Sequence, residues 1–238
     1  MKALVFRAVR TVAAFGRPSR RRNVKLLNTR GEQAETFVIE EATSAHIPVI
    51  ARVHVKSWND TYGRLGARGP CVEFREQQWR EAFAKADGSW FCLALTTAQG
   101  ELVGFAKATQ TGSSAELNKI FLLREYQRLG FGRRLLGQVT QRLLEQGVST
   151  MCVYADPRNP SCAFFEKLGA ERLRDEDGRL HYSWYIWHDL PALAAKCAKS
   201  AQLQLRIRPG MGTRILSVTP PDTHAPVRPD DNTSIKGR

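Results

Sequence analysis

Apolar and polar positions along this chain change period several times, and each change predicts an element. Phe37-Val38-Ile39 is a short apolar run that reads as a strand. Ile47, Ile50, Val53, His54 and Trp58 then recur at helical spacing, after Thr43-Ser44, a pair suited to capping a helix. Gly63, Gly66, Gly69 and Pro70 break the pattern into a loop. A second helix is expected over residues 73–85, burying Phe74, Trp79 and Phe83. Residues 90–95 and 102–109 read as a hairpin around Gln99-Gly100, and a turn at 111–114 leads into a further strand at 116–122.

The helical period returns from Gln127 to Glu145, with Phe131, Leu135, Leu136, Val139 and Leu143 on one face and Gly147 as the stop. Residues 151–154 form a short buried strand. Asn159-Pro160-Ser161 opens a short helix that ends at Leu168-Gly169, and strands at 170–174 and 180–187 close the domain around Asp177-Gly178. The expected order is β-α-α-β-β-β-α-β-α-β, an α/β domain with a mixed sheet and one core over residues 36–190. Residues 1–35 are expected to be a disordered basic extension, and 191–238 a largely disordered tail. Within that tail, alternation at Leu203, Leu205 and Ile207 is compatible with one extra strand.

Charge changes the picture less than its size suggests. The formal charge is +13, but residues 1–31 carry +9 and residues 196–238 carry +5, which leaves −1 for residues 32–195. The domain therefore lacks the basic excess of a nucleic-acid grip, and any such binding is expected weakly and through the tails alone. Arg7 and Arg10 interrupt the apolar stretch near the N-terminus, which argues against a secretory signal, and no segment is long enough to span a membrane. A disordered arm, a transit-like peptide and residues upstream of the true start remain open for that stretch; a cytoplasmic setting is expected. The five cysteines (71, 92, 152, 162 and 197) form no CxxC pair, and the five histidines form no HExxH pattern. Unreactive thiols and no structural metal are expected.

One segment carries chemistry. The strand at 116–122 runs through Gln127-Arg128-Leu129-Gly130-Phe131-Gly132 into the long helix. A helix start offers unpaired N–H groups and the positive end of the macrodipole. Gly130 and Gly132 let an anion approach the main chain, and Arg133 and Arg134 add charge. Two glycines at a helix start also fit a dinucleotide-binding turn or plain strand-to-helix geometry.

The longer pattern Gln-x-x-Gly-x-Gly, after an apolar strand with an acidic residue and before an amphipathic helix, resembles the coenzyme-A loop of the GNAT acetyltransferases. Residues 159–170, running from Asn159-Pro160 through Phe164-Phe165-Glu166-Lys167-Leu168-Gly169, resemble the family's Asn-Pro…Phe-Tyr-Glu-Lys-Leu-Gly helix. Residues 53–58 with Tyr62 resemble its first helix more weakly. The resemblance implies an N-acetyltransferase that carries the acetyl group of acetyl-CoA, as co-substrate, to a primary amine on a small molecule or a protein. It implies that the main chain of Ile120 and Leu122 pairs with the pantetheine arm, with the Leu122 N–H facing the thioester oxygen. It implies that the N–H groups of Arg128, Leu129, Gly130, Phe131 and Gly132 hold the pyrophosphate, with the Gln127 or Arg128 side chain nearby. Asn159 is then expected on the pantetheine or thiol side.

Glu116 lies fourteen residues before Gly130, the spacing of the catalytic glutamate in the histone-acetylating branch, which implies a general base. An ordinary solvated strand carboxylate is the competing reading, and Asp156 and Tyr154 are alternative bases. The sequence departs from the family at Phe165, where a tyrosine often protonates the leaving thiolate. Tyr154 or water then takes that role, or the domain binds acyl-CoA without turnover.

Overall fold

The computed structural model describes the main chain of residues 22–27 and 33–198, and side chains from Thr36 onward. Its strands are β1 (Arg22–Leu27), β2 (Gln33–Glu41), β3 (Trp90–Thr97), β4 (Leu102–Thr111), β5 (Ser114–Leu122), β6 (Thr150–Tyr154), β7 (Glu171–Arg174) and β8 (Leu180–Trp187). They form one sheet in the order β1-β2-β3-β4-β5-β6-β8-β7. Every neighbouring pair is antiparallel except β5 and β6. The parallel pair needs a crossover, and the long helix α3 (Phe131–Glu145) supplies it.

Helices α1 (Ile47–Tyr62) and α2 (Val72–Ala84) cover one face of the sheet. His54, Trp79, Phe105 and Phe121 meet there, with ring centroids 4.7–6.4 Å apart. Helix α3 covers the other face, where Phe131 packs on Phe37 of β2 at 4.4 Å. Arg142 of α3 reaches back to Glu41 with two hydrogen bonds of 2.7 and 3.0 Å, pinning that helix to the sheet. Helix α3 ends as its glycine requires. Gly147 is left-handed (φ 78°), its N–H donates to the Leu144 carbonyl, and the Val148 N–H donates to that of Leu143. Gly169 closes the short helix α4 (Ser161–Lys167) in the same way.

The expected elements are present, but both domain boundaries move outward. The sheet starts before residue 36: β2 begins at Gln33, and β1 pairs with it inside the supposed extension. A strand held by main-chain bonds at a sheet edge needs no strong apolar alternation, so basic composition hides it. At the other end, α5 (Leu190–Ala198) is part of the domain and not tail. Leu190, Leu193 and Cys197 are buried against α3, where Gly137 lets the Cys197 Cβ approach to 3.0 Å from the place of its own missing Cβ. Phe74 also departs from expectation and is exposed; on α2 only Trp79 is fully buried, with Phe83 partly so. Residues 1–21, the alternation at Leu203, Leu205 and Ile207, and the stretch 219–238 lie outside the described residues.

Candidate active site

Strands β5 and β6 pair only at Ser114↔Thr150, Ala115↔Met151 and Glu116↔Cys152. Beyond Glu116 they diverge. A bulge accompanies the divergence: the register with β4 slips at Asn118, the extra residue between the Leu117↔Ala108 and Lys119↔Lys107 pairs. The Thr109 hydroxyl donates to Asn118 Oδ1 at 2.6 Å and fixes the kink. The result is a cleft between the splayed strands, walled by Ile120 and Leu122 of β5, Tyr154 of β6, Tyr62 of α1 and Asn159 ahead of α4.

The main-chain groups facing this cleft follow from strand alternation. The Leu123 N–H donates to the Val103 carbonyl at 2.9 Å, so residue 123 points toward β4. Successive residues point to opposite edges, which turns the N–H and C=O of Leu122 and Ile120 into the cleft. On the other wall, the Ala155 N–H is taken by the Ser183 carbonyl at 2.8 Å, so Tyr154 also turns its main chain inward. An extended, amide-bearing chain can bridge such edges as an added strand does.

At the open end of the cleft stands the glycine loop. Arg128 (φ 63°) and Gly130 (φ 83°) are both left-handed, and Gly130 caps α3. Among the described residues, the N–H groups of Arg128, Leu129, Gly130, Phe131 and Gly132 have no hydrogen-bond partner. Such a run at a helix start is an anion cradle. Gly132 sits at the seam between loop and strand, where a Cβ would make ordinary contacts, 3.5 Å from Leu122 Cδ1 and 3.6 Å from the Phe164 ring. The side chains serve other ends. Phe131 is buried in the core, and Gln127 Nε2 donates to the Leu122 carbonyl at 2.9 Å, tying loop to strand. Arg133 turns toward α5, with Nη1 3.5 Å from the Lys196 carbonyl. Arg134 stays on the first turn, half-buried, with burial lowering its pKa.

The expected proton-handling residues are dispersed. Glu116 stands at the apex, beside Cys152, outside the residues lining the cleft. Asp156 is tied up: its side-chain hydrogen bonds with Arg158 hold the carboxyl down to about 2, too acidic for a base at neutral pH. Tyr154 is 59% exposed, with its ring edge-on to Trp184 at the rim. Phe165 is buried against Tyr185 and Trp187 as part of the core, and it also lines the cleft, where it offers no hydroxyl. Cys162 is buried as well, its thiol donating to the Asp156 carbonyl at 3.3 Å. His54 is buried among aromatic rings; burial first, then the charges of Arg75 and Lys119, hold it down to about 3, so it is neutral.

Tyr62 belongs to the site, and the sequence motifs do not assign it a role. Its hydroxyl accepts a hydrogen bond from Asn159 Nδ2 at 2.7 Å, across 97 residues of chain. Only a long-range contact brings the two together; the sole local signal is a polar aromatic at the end of an otherwise apolar helix face.

A phosphate cradle joined to a splayed pair of strands with inward-facing amides defines an acyltransferase that uses an acyl-coenzyme A. Comparison with known proteins narrows the class. The model of the Acetyltransferase (GNAT) family matches residues 50–170. An uncharacterised N-acetyltransferase of Bacillus subtilis (strain 168), YuaI, is 31% identical over 169 residues, covering 65% of this chain and 95% of YuaI. The ribosomal protein bS18 alanine N-acetyltransferase of Haemophilus influenzae is 35% identical over 69 residues, 29% of this chain and 47% of that protein. The fold matches PaiA N-acetyltransferase from Thermoplasma acidophilum in complex with coenzyme A, with a TM-score of 0.51 and 20% identity over 64% of this chain and 98% of that one. It also matches spermidine N-acetyltransferase from Vibrio cholerae in complex with CoA and spermine, with a TM-score of 0.50 and 14% identity over 66% and 98%. The chain belongs to the GNAT acetyltransferase family and is an acyl-CoA-dependent N-acyltransferase.

Proposed function

We propose that the protein transfers the acetyl group of acetyl-CoA to a primary amine by direct attack, through a tetrahedral intermediate. The observation that carries this reading is the unpartnered N–H run of residues 128–132 beside the inward-facing main chain of Leu122 and Ile120. The cradle holds the pyrophosphate, and the pantetheine arm runs from it along β5 toward the apex. Leu122 lies next to the loop, through Gln127 and Gly132. That position supports a contact with the arm, whereas the thioester lies farther along. The N–H of Ile120, two residues deeper, is therefore the better oxyanion donor than that of Leu122. Asn159, on the opposite wall, flanks the thiol end. Glu116, at the apex and outside the residues lining the cleft, takes the amine proton through water.

The acceptor enters from the α1–α2 face. Lys107 and Lys119 stand directly opposite each other there. The pKa of Lys119 is lowered, by burial first and then by the charges of Lys107 and Arg75. Among the described residues none of these three cations has a carboxylate ion-pair partner. This disfavours a polyamine and favours a singly charged amine, on a protein or a small molecule.

Calorimetry with acetyl-CoA, followed by thiol release over a panel of amines, tests the reading. Micromolar binding and turnover with at least one singly charged amine is the expected result. No binding of acetyl-CoA sinks it. Glu116→Gln is expected to lower kcat about a hundredfold and to remove the acid limb of the pH profile.

A further inference from the structure

Phe165 leaves the departing thiolate without the hydroxyl that its helix could have offered, yet a phenol reaches the same cleft from another element. Tyr62 is the last residue of α1, and its ring packs on Trp58 at 4.9 Å. The loop after α1 holds it in place: the Tyr62 carbonyl accepts the Ala67 N–H at 3.2 Å, and Gly69 sits so close to Trp58 and Asn59 that no Cβ fits. The hydroxyl ends beside Asn159, and both residues line the cleft.

The direction of the Tyr62–Asn159 hydrogen bond is fixed by a third group. Asn159 Oδ1 accepts the main-chain N–H of Ser161 at 2.9 Å, and a main-chain N–H can only donate. The amide nitrogen of Asn159 therefore faces Tyr62 and donates to it. A phenol that accepts this bond keeps its own proton for another acceptor. Among the described residues no other partner takes that proton. Tyr154, the alternative, has a more exposed ring and, among the described residues, no hydrogen bond to orient its hydroxyl.

Resting on the acyl-CoA reading above, we propose that Tyr62 is the proton donor to the leaving thiolate and that Asn159 is its positioning residue. The amine nitrogen bonds to the thioester carbonyl carbon, and the intermediate collapses. The carbon–sulfur bond breaks with its electron pair on sulfur, and sulfur takes the proton from Tyr62. The proton lost by the amine leaves through water to Glu116, and the Tyr62 phenolate regains one from solvent. The products are the N-acetyl amide and free coenzyme A. Burial raises the Tyr62 pKa, although the Asn159 bond opposes it, so the phenol is protonated at neutral pH and able to give a proton.

The test needs no acceptor. Coenzyme A is bound to the full chain, and the ionisation of its thiol is followed by thiolate absorbance and by the rate of alkylation with iodoacetamide. A Tyr62 hydroxyl donating to sulfur stabilises the thiolate. The pKa of bound coenzyme A is then expected about one unit lower in the wild type than in Tyr62→Phe. Asn159→Asp supplies a second arm. It retains the oxygen that accepts the Ser161 N–H but replaces the donor with a carboxylate oxygen, which draws the Tyr62 proton away from the cleft. It is expected to raise the thiol pKa as Tyr62→Phe does, although the phenol is still present. With any amine that turns over, kcat falls about a hundredfold in both variants. Coenzyme A bound normally by Tyr62→Phe with an unchanged thiol titration overturns the assignment and leaves the acyl-CoA reading intact. Failure of the wild type to bind coenzyme A overturns both.

Discussion

Gly104 of β4 stands opposite Leu122 of β5, and the Leu122 side chain fills the space that a Cβ on Gly104 would need. The Phe121 carbonyl lies 2.9 Å from the same point, so main chain as well as side chain would have to move. The glycine thus sets how closely β5 lies on β4 just where β5 faces the cleft. Gly104→Ala is expected to destabilise the fold by about 1–3 kcal/mol and to weaken coenzyme A binding severalfold. Urea denaturation and calorimetry on one preparation check it. Wild-type values in both would show that β5 adapts freely.

The loop can be tested against a turn of equal strain. Gly130 and Gly178 have φ of 83° and 76°, with open space where a Cβ would go. Alanine at either position costs about 1–2 kcal/mol through the left-handed backbone alone. Only Gly130→Ala should also lower coenzyme A affinity, by tenfold or more, because only Gly130 shapes the N–H cradle. Equal affinities for the two variants would remove the cradle from the binding site.

His54 gives stability a pH dependence of known sign. It is held neutral down to about 3 in the folded chain, and takes a proton near 6.5 when unfolded. Between those values the unfolded chain binds more protons. Stability is therefore full above pH 6.5 and falls as the pH drops below it, with a limiting slope of about 1.4 kcal/mol per unit from this residue. Thermal melts from about pH 4.5 to about pH 7.5 should show a shallower slope for His54→Leu than for the wild type. Parallel slopes would mean that His54 takes up its proton at the same pH folded and unfolded.

Helix α5 carries a further expectation. Leu190 and Leu193 are buried by packing on α3. A chain ending after Asp189 should lose about 3–6 kcal/mol of stability, an upper figure since the unfolded chain already hides some of that surface. Denaturation of the shortened chain measures this. Unchanged stability would return residues 190–198 to the tail.

Much of the candidate site is legible because its chemistry is local. The cradle needs a strand end, two glycines and a helix start, all consecutive between Leu122 and Gly132, so spacing marks an anion cradle there and the resemblance to the GNAT family suggests its ligand. The long helix is equally plain, since Phe131, Leu135, Leu136, Val139 and Leu143 repeat on one face and Gly147 ends it. Strand β3, buried from Phe91 onward, is read as an apolar run for the same reason. Elements that depend on partners elsewhere are read poorly. Strand β1 takes its place through a ladder with β2, and α5 through the gap at Gly137. Phe74 satisfies a helical pattern yet is exposed, because α2 offers that side of itself to no neighbour.

By itself, the sequence determined the fold class and the order of the central elements, because periodicity is a property of neighbouring residues, and its resemblance to the GNAT family pointed to the loop proposed to hold a coenzyme's phosphates. Only the tertiary structure decided which side chains meet across the cleft. It set Glu116 at the apex, gave Phe165 to the core, and joined Tyr62 to Asn159 through a hydrogen bond spanning 97 positions. Such meetings depend on how a bulge at Asn118 opens the sheet and on where α1 ends against it, and no local pattern encodes either.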